Sequence, residues 1–536
     1  MPIIDVNLKD LEKLVGRKVS EDDFQYVGGE IDAQEGDNIQ LEIKCRSRPD
    51  LWCVEGIARE LRGALGKEKG LKKYDVKKSS YKVTVDKKLE KIRPFIACTV
   101  VKNVKLSEDI IKQIMQQQDK IDGTYGRKRS KTSIGLYNAD LIEFPLKYTV
   151  TKPTENSFIP LDMTTKLTPK QILSKHPKGR EYAHLVEGLK EYPIYLDKNN
   201  KVLSMPPIIN SNDLGKIKGS DKNILIEVTG TDYETVQNVL KIMTLSLADR
   251  DGTINSVEID YPYRKNDKTP SFDTETTSLS IEKVNKLLGL NLSSKEVKNL
   301  LEKARYGVKG NKVEIPSYRT DILNEVDIIE DIAIMYGYNN FKPEEIKVST
   351  TGKLQDMTEF SDKLREIMIG FGLQEVMTFT LTAKENLTKN MNSKEKPITI
   401  ENPISSNYNA MRNSLTSSLI DFLSKNTTKK FPQKIFEVGQ VFEKSESTNL
   451  AYFSSHNKAD FTEAKQVLDA LLRTIGLEAE IKETEHNSFT EGRVGKIIVN
   501  KKEIGIIGEI SDKVKKNFGL EKETVGFEIN LNKIKN

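Results

Sequence analysis

The stretch IPSYRTDILNEVDIIEDIAIMYGYNN, residues 315–340, carries five acids within eleven positions, among them Asp321, Asp327, Glu330 and Asp331, and neither histidine nor cysteine. At about 100° per residue, a helix here gathers Val326, Ile329, Ile332, Ala333 and Tyr336 on one side. Asp327, Glu330 and Asp331 then lie at i, i+3 and i+4, centred opposite that apolar side. Three carboxylates so spaced can converge on one point, with Asp321 reaching in from the preceding turn. An all-oxygen set suits a hard cation, Mg²⁺ ahead of Ca²⁺. A plainer reading also accounts for acids here: in a first turn each complements the helix dipole by about 0.3–1 kcal/mol, and solvated faces are charged. Against it, like charges at these spacings repel, and no lysine or arginine lies between 320 and 341 to relieve them. Periodicity leaves both readings standing.

The chain of 536 residues exceeds what one hydrophobic core organises and implies roughly three or four domains. Charged residues make up 30% and hydrophobic ones 37%, the balance of a soluble globular protein. With 84 Lys+Arg against 79 Asp+Glu, the net charge of +5 is too small to announce a nucleic-acid binder by itself. No apolar run approaches the ~20 residues that cross a bilayer, and the N-terminus lacks a secretory h-region. The expectation is a cytoplasmic protein with no membrane partner. Cys45, Cys53 and Cys98 show no CxxC spacing, which argues against a thiolate zinc site or a disulfide framework.

Composition and breaks divide the chain into four blocks: 1–91, a structural domain ending in a lysine-rich linker; 92–268, mixed α/β; 269–345, mainly helical; and 346–536, helices alternating with strands. Capping boxes are read at Thr231/Glu234 and Ser293/Glu296. Ser47 is read as the cap of a helix whose buried stripe is Leu51, Val54, Ile57, Ala58 and Leu61. The helices flanking Gly289 are weighed as a nucleic-acid helix-turn-helix and, in preference, as simple packing.

The run PSYRTDILNEVDIIEDIAIMYGYNN closely resembles the metal-bearing domain of the phenylalanyl-tRNA synthetase beta subunit. The likeness extends to SRPDLWCVEGIARELRGALG (47–66), ENPISSNYNAMRNSLTSSLI (401–420) and KIFEVGQVFE (434–443), so that it spans nearly the whole chain. By position it makes Asp321, Asp327, Glu330 and Asp331 ligands of Mg²⁺, and Arg48 and Arg59 contacts between subunits. It also makes 346–536 a class II synthetase-like antiparallel module without aminoacylation activity. The sequence agrees on that last point: Arg412 stands near the expected place, but EIGIIGEISDKVKK lacks the second phosphate-directed arginine that ATP chemistry needs.

RKRSKTSIGLYNADLIEFPLKYTVTKPT (127–154) and VLSMPPIINSNDLGKIKGSDKNILIEVTGTD (202–232) resemble the family's editing domain, which removes tyrosine from mischarged phenylalanine tRNA. The matching positions are Ser204, Asn210, Ser211 and Glu227. Tyr137-Asn138 departs from the His-Asp of many members and puts editing in question. A strand-borne Glu227 is ordinarily solvent-facing, and Arg127, Lys128, Arg129 and Lys131 form either a solvated loop or a contact to the tRNA acceptor end.

The resemblance implies a beta subunit working with an alpha subunit, two of each, on ATP, phenylalanine and its tRNA. The alpha subunit would hold the aminoacylation site. The rival expectations are a structural or nucleic-acid-binding subunit without editing, and a free-standing aminoacyl-tRNA hydrolase.

Overall fold

The computed structural model describes residues 2–346 and 348–535. They fall into two compact units, Met1–Glu345 and Ile346–Asn536, and both mix helices with sheets.

The first unit opens with a three-stranded sheet, order β1 (Ile3–Asn7), β3 (Asn38–Ile43), β2 (Gly29–Glu35), packed by α1 (Leu8–Val15) and α2 (Val54–Ala64). Helix α2 is capped by Cys53, whose sulfur accepts from the Gly56 amide, so Ser47 is not its cap. The expected stripe from Leu51 to Leu61 is buried all the same. Arg48 and Arg59 are corrected more sharply: both are buried inside this chain. Arg48 pairs with Asp50 and Glu60, and Arg59 donates to Asp249 at 2.7 Å.

An eleven-stranded sheet follows. Its elements in chain order are β4 (Val76–Lys77), β5 (Lys82–Val85), β6 (Phe95–Lys102), α3 (Glu108–Gly123), β7 (Thr132–Asn138), β8 (Leu146–Thr151), α4 (Pro169–Lys175), α5 (Pro177–Tyr182), β9 (Tyr192–Leu196), β10 (Val202–Met205), β11 (Ile209–Asn210), β12 (Ile224–Gly230), α6 (Tyr233–Ala248), β13 (Thr253–Asp260) and β14 (Asp267–Thr269). The strands run β11-β10-β9-β8-β5-β13-β6-β12-β7, with β4 and β14 also paired to β13. The lysine-rich stretch is therefore not a linker. Val83 and Val85 alternate inward while Lys82 and Thr84 look out, so β4 and β5 belong to this sheet, and a boundary at 91 cuts it. Helix α6 is capped one residue later than the Thr231/Glu234 box proposes: Asp232 accepts from the Thr235 amide.

The third block adds a small sheet, β15 (Glu275–Ser278), β17 (Lys312–Ile315), β16 (Gly307–Lys309), to helices α7 (Ile281–Leu288), α8 (Ser294–Lys303) and α9 (Glu325–Tyr336). The Ser293/Glu296 box starts α8 as expected. Val284 of α7, Val297 and Leu301 of α8, and Ile328 and Ile332 of α9 share one core, so the helix pair is spent on packing.

The second unit is built on a seven-stranded sheet. Its elements are α10 (Asp356–Gly370), β18 (Gln374–Glu375), β19 (Leu381–Thr382), β20 (Ala410–Met411), α11 (Leu415–Ser424), β21 (Gln433–Phe442), β22 (Glu446–Ser455), α12 (Phe461–Thr474), β23 (Glu480–Glu483), β24 (Phe489–Val499), β25 (Lys502–Ile510), α13 (Asp512–Phe518), β26 (Thr524–Asn530) and α14 (Leu531–Lys535). The order is β18-β21-β22-β26-β25-β24-β23, antiparallel except for the short β18–β21 edge pair. Cores lie on both faces: Leu468 and Phe527 belong to one, Leu419 and Phe453 to the other. No helix among the described residues is long and apolar enough to cross a membrane.

Candidate functional site

Strand β12 lies between β6 and β7, so neither edge meets water. Its side chains alternate: Ile224, Ile226 and Val228 enter the core under α3 and α6, while Leu225 enters the tyrosine-rich core on the opposite face. Glu227 shares that second face and is only 2% exposed. The expectation of a solvated acid is corrected: on a central strand covered on both faces the carboxylate is withdrawn from bulk water.

Directly opposite Glu227 on β7 is Gly135. A Cβ there would stand 2.3 Å from the Tyr137 hydroxyl and 2.5 Å from Glu227 Oε2. The bare glycine lets the Tyr137 phenol reach diagonally across it and donate to Glu227 Oε2 at 2.6 Å. Ser204 Oγ lies 2.8 Å from the same phenol oxygen and Asn210 Oδ1 a looser 3.4 Å. A phenol has one proton, and the carboxylate is the stronger acceptor, so Ser204 donates to the phenol oxygen. Burial raises Glu227 to about 7, against the pull of Tyr137, Arg93 and Thr229 toward the charged form. Burial and the neighbouring carboxylate push Tyr137 well above its usual range, which keeps the proton on the phenol.

Glu227, Ser204 and Asn210 line a cleft of about 210 Å³, together with Ser133, Arg129 and His176. Three of the four expected residues therefore meet. Ser211 does not: it is buried below the cleft, its hydroxyl capping the Leu214 amide at 3.3 Å and its amide tied to Leu203. Its polar atoms are thus engaged in the turn and not among the residues that line the cleft.

Behind the cleft, Arg93 donates to Thr229 Oγ1 and Ser133 Oγ at 3.0 Å each and to the carbonyls of Arg129 and Ser130. It thus anchors the basic loop, where Arg127, Lys128 and Arg129 sit at φ 50°, 50° and 66°, three successive left-handed non-glycine residues. Arg129 turns inward, donating to the Ile208 carbonyl at 2.9 Å and stacking on Tyr182, while Arg127 and Lys128 stay exposed. Arg93, Thr229 and His176 were missed in the sequence. Thr229 had a signal, since it sits at i+2 from Glu227 on a strand; Arg93 and His176 are isolated in sequence and had none. The cleft contains no cysteine, and Cys98, in the core beyond it, is held as a neutral thiol by burial. What remains is a carboxylate able to accept a proton-bearing group, hydroxyls and amides to orient water, and basic residues at the rim.

The acid cluster is arranged differently. Arg319, just outside the window without basic residues, binds Asp321 bidentately at 2.8 and 2.7 Å and Asp331 at 2.6 Å. Tyr306 also donates to Asp331, at 2.5 Å. Asp327 is spent as a cap, accepting from the Leu323 and Asn324 amides at 2.7 Å each, and Glu330 faces solvent. The helical wheel was off by part of a turn: Val326 is exposed, whereas Ile328, Met335 and Asp331 are buried. Against the penalty of burial, Arg319 holds Asp321 below the usual carboxylate range. Among the described residues no group of three or more His, Cys, Asp or Glu is placed to hold a metal ion. The four acids do not fit the magnesium set expected of them, because two would first have to leave a buried guanidinium.

Arg412 is likewise internal. It donates to Glu437 and Thr378 Oγ1 at 2.7 Å each and to the Gln440 carbonyl at 2.8 Å, and it is only 3% exposed, so it is engaged within the fold.

Residues 344–531 match the family model described as the phenylalanyl tRNA synthetase beta chain CLM domain, and 277–338 match the tRNA synthetase B5 domain. The phenylalanine–tRNA ligase beta subunits of Pyrococcus horikoshii and Pyrococcus furiosus are each 43% identical to the chain, over 99% of it and 99% of their own lengths. That of Archaeoglobus fulgidus is 37% identical over 99% of the chain and 98% of its own. A crystal structure of an N-terminal fragment of the phenylalanyl-tRNA synthetase beta subunit from Pyrococcus horikoshii aligns with a TM-score of 0.61 at 41% identity, covering 63% of this chain and 100% of the fragment. On the strength of this full-length similarity, the chain belongs to the phenylalanine–tRNA ligase beta-subunit family.

Proposed function

We propose that the chain acts in the cytoplasm as the beta subunit of a phenylalanine–tRNA ligase, assembled as two alpha and two beta chains. The complex joins phenylalanine to its tRNA with ATP, Mg²⁺ entering with the nucleotide at the alpha subunit. Blocks 92–268 and 346–536 serve as editing domain and non-catalytic synthetase-like module. Family membership along the full length supports the assembly, and the engaged Arg412 supports placing the activating chemistry on the partner.

The editing role rests on one observation: a single buried carboxylate, Glu227, in the wall of a polar cleft. An apolar pocket rejects an added hydroxyl by only about a hundredfold, so a second, hydrolytic site improves fidelity. Glu227 accepts a hydrogen bond from the phenol of the misattached tyrosine, and Asn210 and Ser204 hold the ester and its water. Water attacks the ester carbon, the bond to the ribose oxygen breaks, and a proton passes to that oxygen. The test is to assemble the chain with its alpha subunit and present tyrosyl- and phenylalanyl-tRNA. Faster release of tyrosine is expected. Equal, uncatalysed release of both would leave an assembly role alone.

A further inference from the structure

The Tyr137 side chain is fully buried in the core that holds Cys98, Tyr195 and Leu225, and it is absent from the cleft wall that Glu227 helps to form. Its phenol nonetheless meets Glu227 at 2.6 Å, across a glycine that has no room for a Cβ. The acid is therefore gripped from the core side, by a residue that is not part of the cleft wall.

We infer that Tyr137 is a positioning residue that sets the specificity of the cleft, holding one face of the Glu227 carboxylate so that its remaining acceptor sites receive a hydroxylated aromatic ring. The inference rests on the editing reading and names what makes Glu227 selective. A carboxylate offers about four lone-pair sites. Tyr137 takes one on Oε2, which fixes the plane and rotamer of the group. Ser204, donating to the phenol oxygen, polarises that hydroxyl further toward the acid. A bond donated to the charged form favours that form, and only the charged form accepts without also offering a competing proton.

The alternative is that Tyr137 is a core residue whose hydroxyl happens to be satisfied. The two are separated by comparing Tyr137→Phe with wild type in the assembled ligase; Gly135→Ala, whose Cβ would press on both the phenol and Glu227 Oε2, disturbs the same pair from the backbone side. Retained phenylalanylation of tRNA serves as the control for folding. Both variants should lower the preference for tyrosyl- over phenylalanyl-tRNA by about tenfold, the scale of a charged hydrogen bond. The pH midpoint of tyrosine release should also rise by about half a unit or more, because the proton donor that favours ionised Glu227 has been removed. A ¹³C-carboxyl titration of Glu227, assigned by its loss in Glu227→Gln, should show the same upward move without relying on activity. Unchanged preference in variants that still charge tRNA overturns the inference and leaves editing standing. No tyrosine release by wild type overturns both.

Discussion

The Glu227 cleft and the Arg319 cluster both bury carboxylates, yet they solve the problem in opposite ways. At Arg319 the guanidinium answers Asp321 and Asp331 at 2.6–2.8 Å, and the tyrosine beside it only completes the set. At Glu227 no cation among the described residues makes direct contact: the phenol of Tyr137 is the first partner, with Arg93 one side chain further back on Thr229. The first arrangement sets the carboxylates directly against a cation. The second leaves an acid raised to about 7 in a cleft wall, a state that costs stability and is retained where chemistry needs it. A run of acids in a sequence therefore says less about function than the identity of the group each acid faces.

The comparison breaks most readily at Arg319. Arg319→Met leaves two carboxylates buried without their counter-ion and should cost about 3–5 kcal/mol. Urea unfolding measures it, and removal of divalent cations with EDTA should leave the wild-type midpoint where it was. If EDTA lowers that midpoint as much as the mutation does, the cluster is a metal site after all.

The second prediction concerns Glu227 and depends on pH. Its folded pKa is raised from 4.5 to about 7 by burial, so the unfolded chain binds fewer protons between those values. The stability of wild type relative to Glu227→Gln is full below pH 4.5 and declines as pH rises to 7. At pH 8, Glu227→Gln should be the more stable protein by up to about 3 kcal/mol, with little difference at pH 4.5. Denaturant unfolding at the two pH values checks the sign.

A smaller effect belongs to the acid that serves as a cap. Asp327→Ala removes bonds to two terminal amides and should cost about 1 kcal/mol, whereas Glu330→Gln should be silent. Equal losses at both would mean that they act together, as ligands would.

The sequence disclosed the class of each region better than the partners inside it. The Ser293/Glu296 box and the stripe from Leu51 to Leu61 were legible because helix caps and 3.6-residue periodicity are local. Val83 and Val85 alternate visibly, yet the lysines around them resemble a linker until the strand pairing is known. The burial of Glu227 was invisible, since alternation shows which residues share a face but not whether that face is covered. Tyr137 stood out only as a departure from a family pattern, whereas its diagonal reach over Gly135 is a matter of strand register. Asp331 was assigned to the wet side because its partner, Arg319, lies twelve residues upstream on another turn.

The central claim is that Glu227 reads a phenol. The direct measurement is the ratio of kcat/KM for tyrosyl- over phenylalanyl-tRNA hydrolysis by the assembled ligase, wild type against Glu227→Ala. A charged hydrogen bond worth about 1.5–3 kcal/mol corresponds to a ratio that falls by roughly 10- to 150-fold, while charging with phenylalanine persists. A ratio unchanged by the substitution would contradict the account.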